Sequence, residues 1–191
     1  MGITTLSADD INQALGEYLA YLETLTSIQI DPQLRHRIGW SDIVQETLLE
    51  AWKEFDRIQQ LDEEGRKGRL RRMLLNNLRD AIRKLLGRRR DVRLERSLEV
   101  AASKSADRLD RQIAIENSSP LDKMVEEEQA LQLLEGLSKL NERQREALIL
   151  QKYHGWTLAR IAEYLGCTTG AVAGMHARGL NELRKYVRDV E

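Results

Sequence analysis

The chain has 191 residues, of which 41% are hydrophobic and 32% charged, with a formal net charge of −1. That is room for one large domain or two small ones with a buried core. A single cysteine, Cys167, excludes an internal disulfide and suits a reducing compartment. The three scattered histidines, His36, His154 and His176, give no metal-ligand spacing, so neither a metal nor any other cofactor is expected.

No apolar run approaches the roughly 18 residues of a membrane span. No lysine or arginine precedes Arg35, which argues against a secretory signal, and a cytoplasmic protein is expected. Two prolines and few β-branched alternations predict an all-α fold. The near-zero net charge conceals a segregated distribution. Residues 1–65 carry 4 basic and 13 acidic side chains, residues 66–96 carry 13 and 3, and residues 97–191 carry 13 and 15. A block as basic as 66–96 either meets an anionic partner or forms a solvated helix face.

In chain order, residues 1–38 read as one or two helices ("INQALGEYLAYLETL") broken at Pro32. "WSDIVQETLLEAWKEFDRI" follows, a helix that Asp42 can start. Ile43, Val44, Thr47, Leu48, Ala51, Trp52 and Phe55 form its apolar stripe at helical spacing, while Asp42, Gln45, Glu46, Leu49, Glu50 and Lys53 lie outward. Gly65 and Gly68 predict a loop before a basic helix that runs to about residue 96. Residues 97–119, rich in alanine, serine and charge, read as a polar linker with a helical turn or two. Residues 120–191 read as four helices with short turns. The expected layout is two small helical domains, 1–96 and 120–191, joined by the 97–119 linker.

The last domain carries the most specific pattern. Asn141 is placed to cap "ERQREALILQKY", and Thr157 to cap a helix with Leu158, Ile161, Ala162 and Leu165 on one face. Gly166 supplies a turn where positive φ costs nothing. Thr168 or Thr169 caps the final helix, with Val172, Met175 or His176, Leu180, Leu183 and Val187 facing inward. A small residue at a helix crossing, a turn glycine and an apolar pin on the second helix are what a helix-turn-helix needs. An ordinary helical hairpin is the plainer reading.

Beyond these residues, "SDIVQETLLEAW" resembles conserved region 2.2 of sigma-70-type bacterial RNA polymerase sigma factors. "LNERQREALILQKYHGWTLARIAEYLGCTTGAVAGMHARGLNELR" resembles their region 4, and "RLRRMLLNNLRDAIRKLLGRRRDVRLERSL" is similar to regions 2.3–2.4. Two such regions joined by a tether are the layout of the extracytoplasmic-function (ECF) group. The resemblance implies a region 2 bundle over 1–96 and a region 4 helix-turn-helix over 120–191. Such a protein binds core RNA polymerase through the β′ clamp helices and the β flap, and recognises duplex and melted promoter DNA. An anti-sigma factor is a further implied partner.

Carried onto this chain, the resemblance implies polymerase contacts at Asp42, Gln45, Glu46 and Leu49. It implies base contacts to the −10 element by Asn76 and Asn77. Phosphate contacts there would come from Arg71, Arg72, Arg79, Arg83, Lys84, Arg88, Arg89 and Arg90. At the −35 element, Thr168, Thr169, Ala173, Ala177 and Arg178 would face the major groove, with Arg160 near the backbone.

Two features depart from the family pattern. Residues 66–96 contain no aromatic, and Arg69 stands where many members have tryptophan; flipped bases usually stack on aromatics. The final helix has Ala173 and Met175 where members often carry lysine or arginine, which predicts relaxed −35 specificity. His176 falls where leucine is usual, so a partly buried neutral histidine is expected. A stand-alone helix-turn-helix regulator is the rival function, and it leaves "SDIVQETLLEAW" as mere core. No Gly-rich phosphate loop or nucleophile–base set points to an enzyme.

Overall fold

The computed structural model describes residues 15–87, 96–116 and 126–188. Among the described residues there are ten α-helices and no strand, so the fold is all-α. They are α1 (Leu19–Gln29), α2 (Pro32–Ile38), α3 (Trp40–Lys53), α4 (Phe55–Ile58), α5 (Glu63–Gly87), α6 (Arg96–Glu116), α7 (Glu126–Lys139), α8 (Glu142–Lys152), α9 (Leu158–Leu165) and α10 (Thr169–Arg188).

Helix α1 is the hub. Tyr21, Leu22, Leu25 and Ile28 are buried, and so are Thr24, Thr26, Ser27 and Gln29, which leaves it covered on nearly every side. The Thr24 and Thr26 hydroxyls donate back to the carbonyls of Ala20 and Leu22, at 2.6 and 2.9 Å, so neither is stranded. The last carbonyls of any helix lack intrahelical partners. Here other helices supply them. Arg35 and His154 both meet the Ser27 carbonyl, at 3.2 and 2.8 Å, and Arg108 Nε donates to the Gln29 carbonyl at 3.0 Å.

Asp31 caps α2 by accepting from the Gln33 amide, Pro32 occupies the first turn, and Gly39 ends the helix at φ 63°. Helix α3 starts at Trp40 and buries Ile43, Val44, Thr47 and Ala51. Trp52, expected in the inward stripe, is 42% exposed. The inward line runs through 43, 47 and 51, which puts position 52 on its edge beside Leu49.

The loop expected around residues 65–68 is instead the start of α5. Asp62 accepts from the Gly65 amide at 2.9 Å, and Glu63 and Glu64 occupy the dipole-favourable first turn. A Cβ on Gly65 would lie 2.8 Å from Asp62 Oδ1, so glycine fits under the capping carboxylate. The polar stretch expected as a linker differs more. Residues 96–116 form one 21-residue helix, α6, lying along α5. Leu98, Ala101, Ala102, Ser105 and Leu109 are its buried face, a helical spacing that small side chains disguise. Ser105 Oγ accepts from the Asp31 amide at 3.1 Å, tying α6 to the α1–α2 corner.

Two apolar cores result. The larger is continuous from Leu15 through α1, α3, α5 and α6 to Leu134, Leu137, Leu140, Leu148, Ile149 and Leu183. The smaller gathers Ala147, Leu150, Trp156, Ile161, Ala162, Val172 and Met175. Helix α8 serves both, because Ala147, Leu148, Ile149 and Leu150 are all buried. Glycines allow α10 to approach closely. A Cβ on Gly136 would come within 2.7 Å of Leu183, and one on Gly179 within 2.9 Å of Leu148. No described helix is long and apolar enough to cross a membrane.

Candidate nucleic-acid interface

The second core exists to hold α9 and α10. Asn141 and Thr157 cap α8 and α9 as expected, accepting from the amides of Arg143 and Arg160 at 3.1 and 3.3 Å. Each such cap contributes about 1 kcal/mol. Gly166 closes α9 at φ 63°, with the Cys167 amide bonded to the Ala162 carbonyl at 2.9 Å. Of the two candidate caps on α10, Thr168 takes the role, its hydroxyl accepting from the Ala171 amide at 3.1 Å. Val172 is fully buried against buried Ala162 and Ile161, which pins the second helix across the first. This is a helix-turn-helix.

Its outer face is open. Thr168, Thr169, Ala173, Ala177 and Arg178 are all exposed, as is Arg160. The α10 N-terminus thus presents amides and hydroxyls together, a favourable place for phosphate. Arg178 reaches back over Gly174, where an added Cβ would meet its guanidinium at 3.1 Å. The guanidinium of Arg160 stacks 3.9 Å above the Trp156 ring, and Trp156 meets Tyr164 edge-on at 5.4 Å. Stacking fixes the direction of an otherwise floppy cation. Nothing in the sequence reading assigned Trp156 or Tyr164 this part; an aromatic four residues before Arg160 was the available signal. Between Met175 and His176, both turn inward. His176 is buried and its Nε2 donates to the Ala147 carbonyl at 2.9 Å, so it serves the core.

The basic helix is arranged differently. Arg71, expected at phosphate, is 5% exposed and its Nη1 donates to the Tyr21 hydroxyl at 3.3 Å, so it belongs to the core. Its position on α5 falls on the buried side with Leu70, Met73 and Leu74, a placement the arginine-rich spelling hid. The Asn77 amide donates to Thr47 Oγ1 and Glu50 Oε2, each at 3.1 Å. The Asn76 amide oxygen accepts from Arg79 at 3.1 Å. Both expected base-reading amides therefore have intramolecular partners, and Arg79 is half-buried. Arg72, Arg83 and Lys84 lie on the exposed side. Arg88, Arg89 and Arg90 lie outside the described residues. Arg69 pairs with Glu54 at 2.6 Å.

On α3, Asp42, Gln45, Glu46 and Leu49 are exposed along one face, Leu49 at 54%. Leu49 and Trp52 border a groove of about 420 Å³ completed by Leu15, Leu19, Gln45 and Leu48. Trp52, Leu15 and Leu19 were not among the expected contact residues. A second apolar groove of about 300 Å³ lies between α7, α8 and α10, lined by Leu133, Leu137, Leu148, Tyr153, Leu180 and Leu183.

No curated protein matches the chain. Residues 130–183, which hold the helix-turn-helix and its supporting helices, match the family model described as Sigma-70, region 4.

Proposed function

We propose that this protein is a sigma factor of the ECF group, which binds core RNA polymerase in the cytoplasm and directs promoter recognition and transcription initiation. The observation that carries this reading is the open helix-turn-helix face within the stretch similar to sigma-70 region 4. In this reading α10 enters the major groove at −35. Thr168, Thr169, Ala173, Ala177 and Arg178 face the bases and backbone there, with Arg160 held toward phosphate by Trp156.

The α3 face carrying Asp42, Gln45, Glu46 and Leu49 takes the β′ clamp helices. Its mixture of carboxylates and an exposed leucine beside an apolar groove supports a protein contact. The apolar groove between α7, α8 and α10 suits the β flap. At −10, phosphate neutralisation falls to Arg72, Arg83 and Lys84, with Arg88, Arg89 and Arg90 beyond them. Asn76 and Asn77 already spend part of their hydrogen-bonding capacity within the fold, the Asn76 oxygen on Arg79, so base reading there uses the remaining donors and acceptors or exchanges these bonds. The chemistry of RNA synthesis belongs to the polymerase, and this chain contributes no catalytic group to it.

The α3 assignment is tested by size-exclusion chromatography with sigma-free bacterial core polymerase. The wild type co-elutes, and Glu46→Arg, which reverses an exposed charge without touching the core, does not. Wild-type protein that binds DNA alone but never co-elutes favours a free-standing regulator instead.

A further inference from the structure

The outer face of α5 is a polar stripe. Arg69, Arg72, Asn76, Asp80 and Arg83 recur every three or four residues, turned away from the buried Leu70, Leu74 and Leu78. The stripe is about 21 Å long, at 1.5 Å per helical residue. Arg83 and Lys84 at its far end are fully open cations, suited to phosphate.

Arg69 at the near end is held differently. Its Nη2 donates to Glu54 Oε2 at 2.6 Å, yet the two side chains stay 39% and 35% exposed. Glu54 is itself fixed at the break between α3 and α4. Its amide donates to the carbonyls of Glu50 and Ala51, and its carbonyl accepts from the amides of Arg57 and Ile58. The ion pair carries no net charge, which makes Arg69 a weak phosphate clamp. What the carboxylate provides instead is a planar group in a set orientation.

The helix surface beside that plane has few side chains. A helical residue leans over the turn before it, which for Arg69 holds Gly65. Gly68 immediately precedes it, and a Cβ there would meet no described residue within 4 Å apart from the helix itself and its chain neighbours. Glycine weakens a helix interior, and no packed neighbour among the described residues accounts for this one. Residues 66–96 also contain no aromatic, so α5 offers an unpaired base no ring to lie on. Guanidinium planes stack on unpaired bases as rings do.

We propose that Arg69, held by Glu54, is the platform on which an unpaired base of the melted promoter strand stacks. This rests on the reading of α5 as the surface that meets melted DNA, and it assigns Arg69 a role other than phosphate neutralisation there. A plane reads no base edge, but it favours a purine, whose face is larger. Arg83 and Lys84 hold the phosphates further along, and the Asn76 amide lies between them and the platform.

The test separates plane from charge. The full chain with core polymerase binds bubble DNA built from a genomic fragment that the parent chain selects, and one strand is made abasic at one position at a time. An abasic site keeps the phosphate and removes the base. The parent should lose at least fivefold in affinity at one position. Arg69→Lys, which keeps the charge without the plane, should lose that sensitivity at that position alone. Arg69→Trp, which supplies a plane without the charge, should keep it, and Glu54→Gln, which releases the plane, should fall between. Either Arg69 variant decides by itself should the other fold poorly. A parent-like profile in Arg69→Lys, or an Arg69→Trp weakened by one factor on intact and abasic strands alike, overturns the platform. If the parent selects no fragment, or ignores base removal at every position, the reading of α5 as strand-facing fails and the platform fails with it.

Discussion

The two candidate DNA-facing surfaces of this protein, the α9–α10 face and the α5 face, stand in opposite states. On α10, Thr168, Thr169, Ala173, Ala177 and Arg178 are exposed on a scaffold whose caps and buried pin are already in place. On α5, one arginine is buried at Tyr21 and both asparagines are bonded within the fold. A duplex-reading helix can be finished in advance, because major-groove contacts ask little of the protein's own core. On the proposed reading α5 would meet melted DNA, and its amides keep partners until strands arrive, since an unpaired half-buried amide costs about 1–3 kcal/mol.

Substitutions can break or sharpen this contrast. The largest effect is expected from Val172→Asp. It buries a charge without a partner at the pin of the helix-turn-helix and should cost about 4 kcal/mol or more. The neighbouring exposed Ala173→Asp should shift stability by less than about 0.5 kcal/mol while weakening DNA binding by repulsion. Chemical denaturation of both, with DNA binding measured in parallel, checks the pair. Similar stability losses in the two would mean that α10 has no free face.

Next in size is a pH effect at the contact between His154 and the Ser27 carbonyl. Burial, chiefly, drives His154 from 6.5 down to about 4, with Arg108 and Arg35 adding to the depression and the Ser27 bond and Asp31 opposing it. Above pH 6.5 the imidazole is neutral in folded and unfolded chains alike. Between pH 6.5 and about 4 the unfolded chain binds a proton that the folded chain refuses, so stability falls as pH falls. The full loss is up to roughly 3 kcal/mol. Thermal unfolding from pH 7 to 5 should show a smaller decline in His154→Gln than in wild type. Glu23, whose carboxyl is raised mainly by burial, pulls the opposite way from its ordinary value of 4.5 upward, and comparing His154→Gln with wild type removes its contribution because both chains carry it.

Smaller still is Asn77→Ala, which removes two bonds between α3 and α5 and should cost about 1–2 kcal/mol of stability before any effect on DNA. Arg178→Ala should leave unfolding within about 0.5 kcal/mol of wild type and reduce the slope of log affinity against log salt by about 1. The relaxed −35 specificity expected from Ala173 and Met175 is checked by promoter-variant transcription. Met175 is now a core residue, so only the Ala173 half of that argument concerns DNA.

How much of this was legible follows from where each signal lives. Asn141, Thr157, Gly166 and Thr168 act on backbone groups two to four residues away, so their roles can be read from neighbours in sequence. Helix α6 was missed because its buried face is built on Ala101, Ala102 and Ser105, residues that composition counts as linker-like. They are small because α5 lies close. Arg71 and Trp52 exchanged the places their chemistry suggests, arginine inward and tryptophan outward, because α1 supplies Tyr21 as a buried partner and Leu15 and Leu19 border an open groove. The contacts of α1 and α2 with the carboxy-terminal helices were beyond reach altogether: Arg35 and Glu146, or Ser27 and His154, are more than 100 residues apart and carry no local mark.

The most direct measurement of the central claim is run-off transcription by sigma-free core polymerase on a genomic fragment library, with and without this protein, with start sites mapped. The account predicts starts that depend on the protein, share a sequence about ten base pairs upstream and disappear with Glu46→Arg. No protein-dependent starts, from protein that still retains DNA by itself, would contradict it.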